Sequence, residues 1–152
     1  MMTLAAIQAA IPHREPFLLI DEIVEREENR IVCQKHLTGE EFWFRGHYPE
    51  VPLMPGVLLC EAVMQAGAVL LAEHAEGVEG VPVATRIRDV RFKRMVRPGE
   101  VINLDVTLDE RVSNAFFLTA RVTVEDQLAM RMQFACTLAN ISDQATIAEE
   151  TA

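Results

Sequence analysis

Three stretches in the C-terminal half alternate apolar and polar residues with a period of two. Ile102, Leu104, Val106 and Leu108 are interleaved with Asn103, Asp105 and Thr107. Phe116, Leu118, Ala120, Val122 and Val124 repeat the pattern, and Leu128, Met130, Met132, Phe134, Cys136 and Leu138 repeat it again, opposite Arg131, Gln133 and Thr137. This period predicts strands with one buried face, and the short connections predict antiparallel pairing. Nearer the N-terminus, residues 17–24 and 30–37 read as two further strands separated by an acidic turn at 25–29. Ahead of them, Thr3 is placed to cap a short helix over 4–10, closed by Pro12. Residues 56–75 are the best helix in the chain and are apolar on nearly every face, as a helix buried on all sides must be. A loop rich in glycine, proline and aromatic residues precedes it, from 38 to 55. The predicted class is α+β: an antiparallel sheet wrapped around one long helix. No segment repeats, and the small polar residues after Asn140 predict a frayed tail over 141–152.

The composition narrows this picture. A length of 152 residues suits one domain, and 50% hydrophobic with 24% charged residues allows a full core. A net charge of −9 argues against nucleic-acid binding, where phosphates call for the opposite sign. Cys33, Cys60 and Cys136 are odd in number, widely spaced and without a CxxC pair, which fits neither a disulfide framework nor a zinc site and points to a reducing compartment. The longest uncharged apolar stretch, 62–72, contains Gln65 and falls short of the roughly twenty residues that span a bilayer. No basic residue precedes His13 and Arg14, so the charged start of a secretory signal is missing. The expectation is a soluble cytoplasmic protein with no membrane or nucleic-acid partner.

Candidate chemistry concentrates in residues 45–67, RGHYPEVPLMPGVLLCEAVMQAG. His47 lies between Gly46 and Tyr48-Pro49, a rigid setting for an imidazole. Pro55 and Gly56 open the long helix, leaving free N–H groups at its positive end, where a developing oxyanion is stabilised. Glu61 is a carboxyl group among Leu58, Leu59, Ala62 and Val63, and desolvation there would raise its pKa and make it an acid near neutral pH. A base, an oxyanion donor and an acid are the parts needed to remove a proton next to a carbonyl and expel a β-hydroxyl. Each has a plainer counterpart: a hydrogen-bonded structural histidine, a glutamate complementing the helix dipole, a simple helix entry. On the residues alone both readings stand.

This block, together with IPHREPFLLID at 11–21 and VRFKR at 90–94, resembles the FabZ family of (3R)-3-hydroxyacyl-acyl carrier protein dehydratases. The motifs are G-H-[FY]-P, M-P-G-V and E-A-x-x-Q at intact spacing, and the likeness runs from about residue 8 to 138. The resemblance implies a single hot-dog domain over 1–152 and dehydration to a trans-2-enoyl thioester in fatty acid biosynthesis or a related pathway. It implies His47 as catalytic base, Glu61 as catalytic acid, and Gly56 as the residue whose N–H holds the thioester carbonyl. His and Glu would face each other across a homodimer, with further assembly into a trimer of dimers. No metal or organic cofactor is implied, since the acyl chain arrives on the 4′-phosphopantetheine of acyl carrier protein.

Trp43, Phe44, Val57, Gln65 and Arg86 are candidates for the substrate tunnel, Trp43 and Phe44 reading equally as core, while His13 reads as architectural and His36 and His74 show no partner pattern. Six cations between Arg86 and Arg97 oppose the single acid Asp89. Of these, Arg88, Arg91, Lys93, Arg94 and Arg97 are candidates for docking the acidic carrier. The chain departs from the family pattern in three places. Val83-Ala84-Thr85 replaces an aromatic gate, Arg86 and Arg88 replace a small residue and an acid, and the usual F-R-K-P-V becomes Phe92-Lys93-Arg94-Met95-Val96. A large arginine near the tunnel would favour short or polar acyl chains. The competing readings are a dehydratase-isomerase or polyketide-type dehydratase with the same site, and a non-catalytic acyl-carrier-binding protein, which the presence of both His47 and Glu61 disfavours.

Overall fold

The computed structural model describes residues 2–140; the tail expected to fray lies outside them. A short helix α1 (Leu4–Ala10) leads into β1 (Glu22–Glu27) and β2 (Arg30–His36). A single 3-10 turn (Phe42–Arg45) precedes α2 (Gly56–His74), and β3 (Val81–Phe92), β4 (Val101–Val112), β5 (Ala115–Val124) and β6 (Gln127–Ala139) follow. The six strands form one antiparallel sheet in the order β1-β2-β4-β5-β6-β3, which leaves β1 and β3 as its edges.

The sheet curls around α2, as the apolar helix requires. Leu59, Val63, Ala66, Val69, Leu70 and Leu71 of α2 are buried against Leu104, Phe116, Leu118 and Phe134 from the strands. By length and composition this helix is apolar enough to cross a membrane, with mean hydropathy 1.6, and burial inside the sheet accounts for that apolarity. Gly67 is needed where the sheet comes closest, since a Cβ there would stand 2.8 Å from the Phe134 ring. Irregularities of register in β1, β3, β4 and at the β5–β6 pair supply the extra twist that lets a sheet curl.

Three local expectations need correction. Residues 17–20, of which Leu18, Leu19 and Ile20 are buried and Phe17 is exposed, do not join the sheet, because a side chain takes over their backbone: Gln65 Oε1 accepts from Leu19 N–H at 2.8 Å and Gln65 Nε2 donates to the Phe17 carbonyl at 2.8 Å. The acidic stretch after Val24 continues β1 to Glu27, stabilised by Arg30, which pairs with Glu25 and Glu27 from the start of β2. In β6, Val122 faces Met130 and Thr123 faces Leu128, so Ala129 is an extra residue, and Leu128 leaves the buried row while Ala129 enters it. Thr3 occupies the cap position of α1 through its carbonyl alone, without a side-chain bond.

Candidate active site

His47 is held almost entirely by backbone. Its Nδ1 lies 2.9 Å from the Leu53 carbonyl, its own N–H donates to the Trp43 carbonyl at 3.0 Å, and the Tyr48 ring stands edge-on at 4.7 Å. A carbonyl can only accept, so Nδ1 carries the proton of the neutral ring and Nε2 keeps its lone pair. Tyr48 takes a left-handed backbone conformation (φ 55°), which costs free energy in a bulky residue and concentrates strain beside the imidazole.

Helix α2 starts at Gly56, with Pro55 before it. Leu58 and Leu59 donate back to the Pro55 carbonyl, while the Gly56 and Val57 N–H groups have no acceptor among the described residues. They form the positive end of a nineteen-residue helix. His47, Gly56, Val57 and Phe92 share the lining of a cavity of about 510 Å³, rimmed by Lys93, Arg94 and Met95. A side chain at position 56 would fall 2.6 Å from the Phe92 ring, so glycine is needed for that ring to close over the helix end.

Glu61 lies one and a half turns further along α2 and faces another cavity, of about 570 Å³. Gln65 Nε2 donates to its Oε1 at 3.0 Å, and His13 Nε2 is 3.8 Å from the same oxygen. Its side chain is 24% exposed in the single chain, less desolvated than the run of neighbouring apolar residues led us to expect. From Glu61 the cavity follows one face of α2 past Ala68, Ala72 and Ala75 and is closed on the other side by Gly80–Ala84. Neither cavity is lined by both His47 and Glu61.

The remaining candidates divide. Val57 and Gln65 line the His47 and Glu61 cavities respectively. Trp43 and Phe44 are core residues, 5% and 4% exposed, and line neither cavity. Arg86 and Arg88 line neither the His47 nor the Glu61 cavity: both lie beside Asp109, Glu110 and Phe117 in a separate hollow of about 180 Å³. The short-chain preference expected from Arg86 therefore loses its basis. Arg94 is tied to Glu100 at 2.8 Å and to Gln127, so its charge is already compensated. His36 bonds Glu22 and His74 bonds the Glu28 carbonyl.

Sequence reasoning gave His13 an architectural role and missed its approach to Glu61, which depends on Arg14. That guanidinium bonds the carbonyls of Gln8, Ile11 and His13 and so fixes the turn after α1. Burial pushes the thiols of Cys33 and Cys136 up to about 12 and raises that of Cys60, so none of the three is a nucleophile near neutral pH. No cluster of three or more His, Cys, Asp or Glu among the described residues is arranged to hold a metal ion.

Comparisons with known proteins identify the family of the chain. Residues 11–133 match the model of the FabA-like domain. The 3-hydroxyacyl-[acyl-carrier-protein] dehydratase FabZ of Clostridium perfringens is 40% identical over 129 residues, covering 85% of this chain and 93% of that one. The enzyme of the same name from Chloroflexus aggregans is 44% identical over 130 residues, covering 85% and 90%. Among solved structures, the dehydratase heterocomplex ApeI:P from Xenorhabdus doucetiae superposes with a TM-score of 0.77 at 15% identity, over 96% of this chain and 97% of that one, a likeness of fold. The chain belongs to the FabA-like family, as a member of its FabZ branch.

Proposed function

We propose that this protein dehydrates (3R)-3-hydroxyacyl-acyl carrier protein to the trans-2-enoyl thioester in fatty acid biosynthesis, using His47 from one protomer and Glu61 from a second copy. The observation that carries the two-protomer reading is the separation of the reactive groups into different cavities of one chain. Two further features support it. Strand β3 is a twelve-residue edge whose outer backbone is unpaired, with Ile87 and Phe92 exposed along it, and such an edge invites a second strand. Tyr48, Val57, Phe92 and Met95 also stand exposed around the His47 cavity, an apolar surface suited to being covered.

In this scheme the neutral His47 Nε2 removes a proton from C2 of the thioester. Negative charge developing on the carbonyl oxygen is stabilised by the Gly56 N–H at the positive end of α2. Glu61 then gives its proton to the departing 3-hydroxyl, and the C3–O bond breaks to release water and leave the C2–C3 double bond. Because Gln65 donates to Oε1 of Glu61, the acid proton belongs on Oε2. The small-residue face of α2 from Glu61 to Ala75, about 21 Å long by the helical rise, holds the acyl chain. Val83 and Ala84 leave that groove without an aromatic gate, so long chains enter. The scheme draws on side chains and a backbone N–H alone, and the substrate arrives on the carrier's 4′-phosphopantetheine arm.

The test is complementation. His47→Ala and Glu61→Gln should each lose about 10²-fold or more in hydration of crotonyl-acyl carrier protein. Mixed dimers of the two variants should recover about a quarter of wild-type activity, since half the dimers are mixed and each holds one intact site. Mixed dimers that form without recovery would place both groups in one protomer. Wild-type protein that binds acyl carriers yet turns none over would leave a binding protein in place of the enzyme.

A further inference from the structure

Outside the site, three arginines stand in a row across the surface of the sheet that faces away from α2. Arg121 on β5 is directly opposite Arg131 on β6, which is directly opposite Arg91 on β3. All three are exposed, while Ala120, Val122, Met130 and Met132 beside them in sequence are buried, so the row points outward. Directly opposed side chains on neighbouring strands stand about 5 Å apart, and like charges at that spacing oppose folding. Arg121, Arg131 and Arg91 have no hydrogen-bond or ion-pair partner among the described residues. Four other cations are satisfied, Arg30 by Asp105, Arg26 by Glu73, Lys35 by Asp21 and Arg94 by Glu100, whereas Arg45, Arg86 and Lys93, unpaired among the described residues, form no such row. The carboxylate next in the row, Asp105 opposite Arg121, is held by both oxygens on Arg30.

We propose that this arginine row is the docking surface for an acidic protein partner, the carrier that delivers the acyl thioester. The inference rests on the dehydratase reading and names the surface that reading needs. Guanidinium groups suit surface carboxylates because they bind both oxygens at once. The body carrying the row has a net charge of −9, which repels an extended polyanion or an anionic bilayer, whereas a compact acidic protein meets within a Debye length of about 8 Å chiefly the three arginines, against Asp89 in the hollow beside Arg91 and Arg131 and the already paired Asp105. The row also adjoins the chemistry: Arg91 is followed by Phe92 and Lys93, which line the His47 cavity. Of the docking candidates predicted from sequence only Arg91 lies in the row, and Arg121 and Arg131 are new to it.

The experiment is kinetic, on the variant Arg131→Glu, whose fold is protected because the change turns two like-charge contacts, with Arg121 and with Arg91, into opposite-charge ones. Its melting temperature should match or exceed that of wild type. With the acyl chain on carrier protein, kcat/KM should fall about tenfold or more through KM, and the wild-type advantage should shrink as salt rises. With the same chain on N-acetylcysteamine, a thioester lacking the carrier, variant and wild type should be equal. Equal kcat/KM on carrier protein would overturn the docking surface while leaving the enzyme intact. A loss of binding to anionic vesicles or single-stranded DNA, with carrier turnover unchanged, would also overturn it and assign the row to that other partner. No turnover of either substrate by wild type would instead overturn the dehydratase reading beneath it.

Discussion

His47 and Glu61, the base and acid of the proposed scheme, are fixed by opposite means. His47 is held by backbone, through the Leu53 and Trp43 carbonyls and the left-handed turn at Tyr48. Glu61 is held by side chains, Gln65 at 3.0 Å and His13 at 3.8 Å, and Gln65 in turn is locked by the backbone of Phe17 and Leu19. A base fixed by carbonyls keeps its tautomer when neighbouring side chains change, because carbonyls cannot be mutated away. An acid fixed by an amide is exposed to every substitution in that network. The contrast teaches where each half of the site is vulnerable.

The largest expected effect comes from the side-chain-dependent half. Gln65→Leu strips Glu61 of its donor and leaves the buried Leu19 N–H and Phe17 carbonyl unpaired. Stability should fall by about 2 kcal/mol or more in denaturant titration, and kcat by about ten- to a hundredfold. Leu53→Ala, the matching change beside His47, preserves the carbonyl and should keep kcat within about threefold of wild type. Equal losses in the two variants would erase the contrast. A middle-sized effect is expected in the groove: Ala72→Phe should cut turnover of long acyl chains about tenfold while sparing four-carbon ones, because it fills the far end and leaves Glu61 in place.

The smallest effect asks whether any side-chain ion pair matters on the His47 side. Arg94, on the rim of that cavity, donates to Glu100 and, against a smaller opposing effect of burial, holds its carboxyl below the usual carboxylate range. A lowered folded-state pKa contributes stability that is present above the unfolded value of about 4.3 and is lost as pH falls through the folded value. Arg94→Met should therefore flatten the acid limb of the stability curve by under about 1 kcal/mol, measured by thermal melts between pH 3 and 6.

The parts of the molecule legible in its sequence are those governed by local periodicity. The core rows of β4, β5 and β6 follow from alternation, and α2 follows from an apolar run entered at Pro55-Gly56. Alternation failed at Leu128 because an inserted Ala129 changes the phase without changing the composition. It failed at residues 17–20 because their partner is a glutamine side chain 46 to 48 positions away. The same distance problem governs the site. His47, Gly56 and Glu61 sit in one continuous block of motif, whereas the approach of His13 to Glu61 crosses from another segment and carries no local pattern. The arginine row was hidden for a related reason: its members lie on three strands and become neighbours only through register.

In the proposed scheme α2 is both scaffold and reactive element. Its wrapped face, with Leu59, Val63, Val69, Leu70 and Leu71, is constrained by packing on every side. Its groove face, with Ala68, Ala72 and Ala75, borders empty space. If that groove holds the acyl chain as proposed, natural variation can lengthen or shorten the substrate by exchanging alanines on one face of a helix, without repacking the fold and without touching Glu61 at its head. The helix is a ruler whose graduations evolution is free to move.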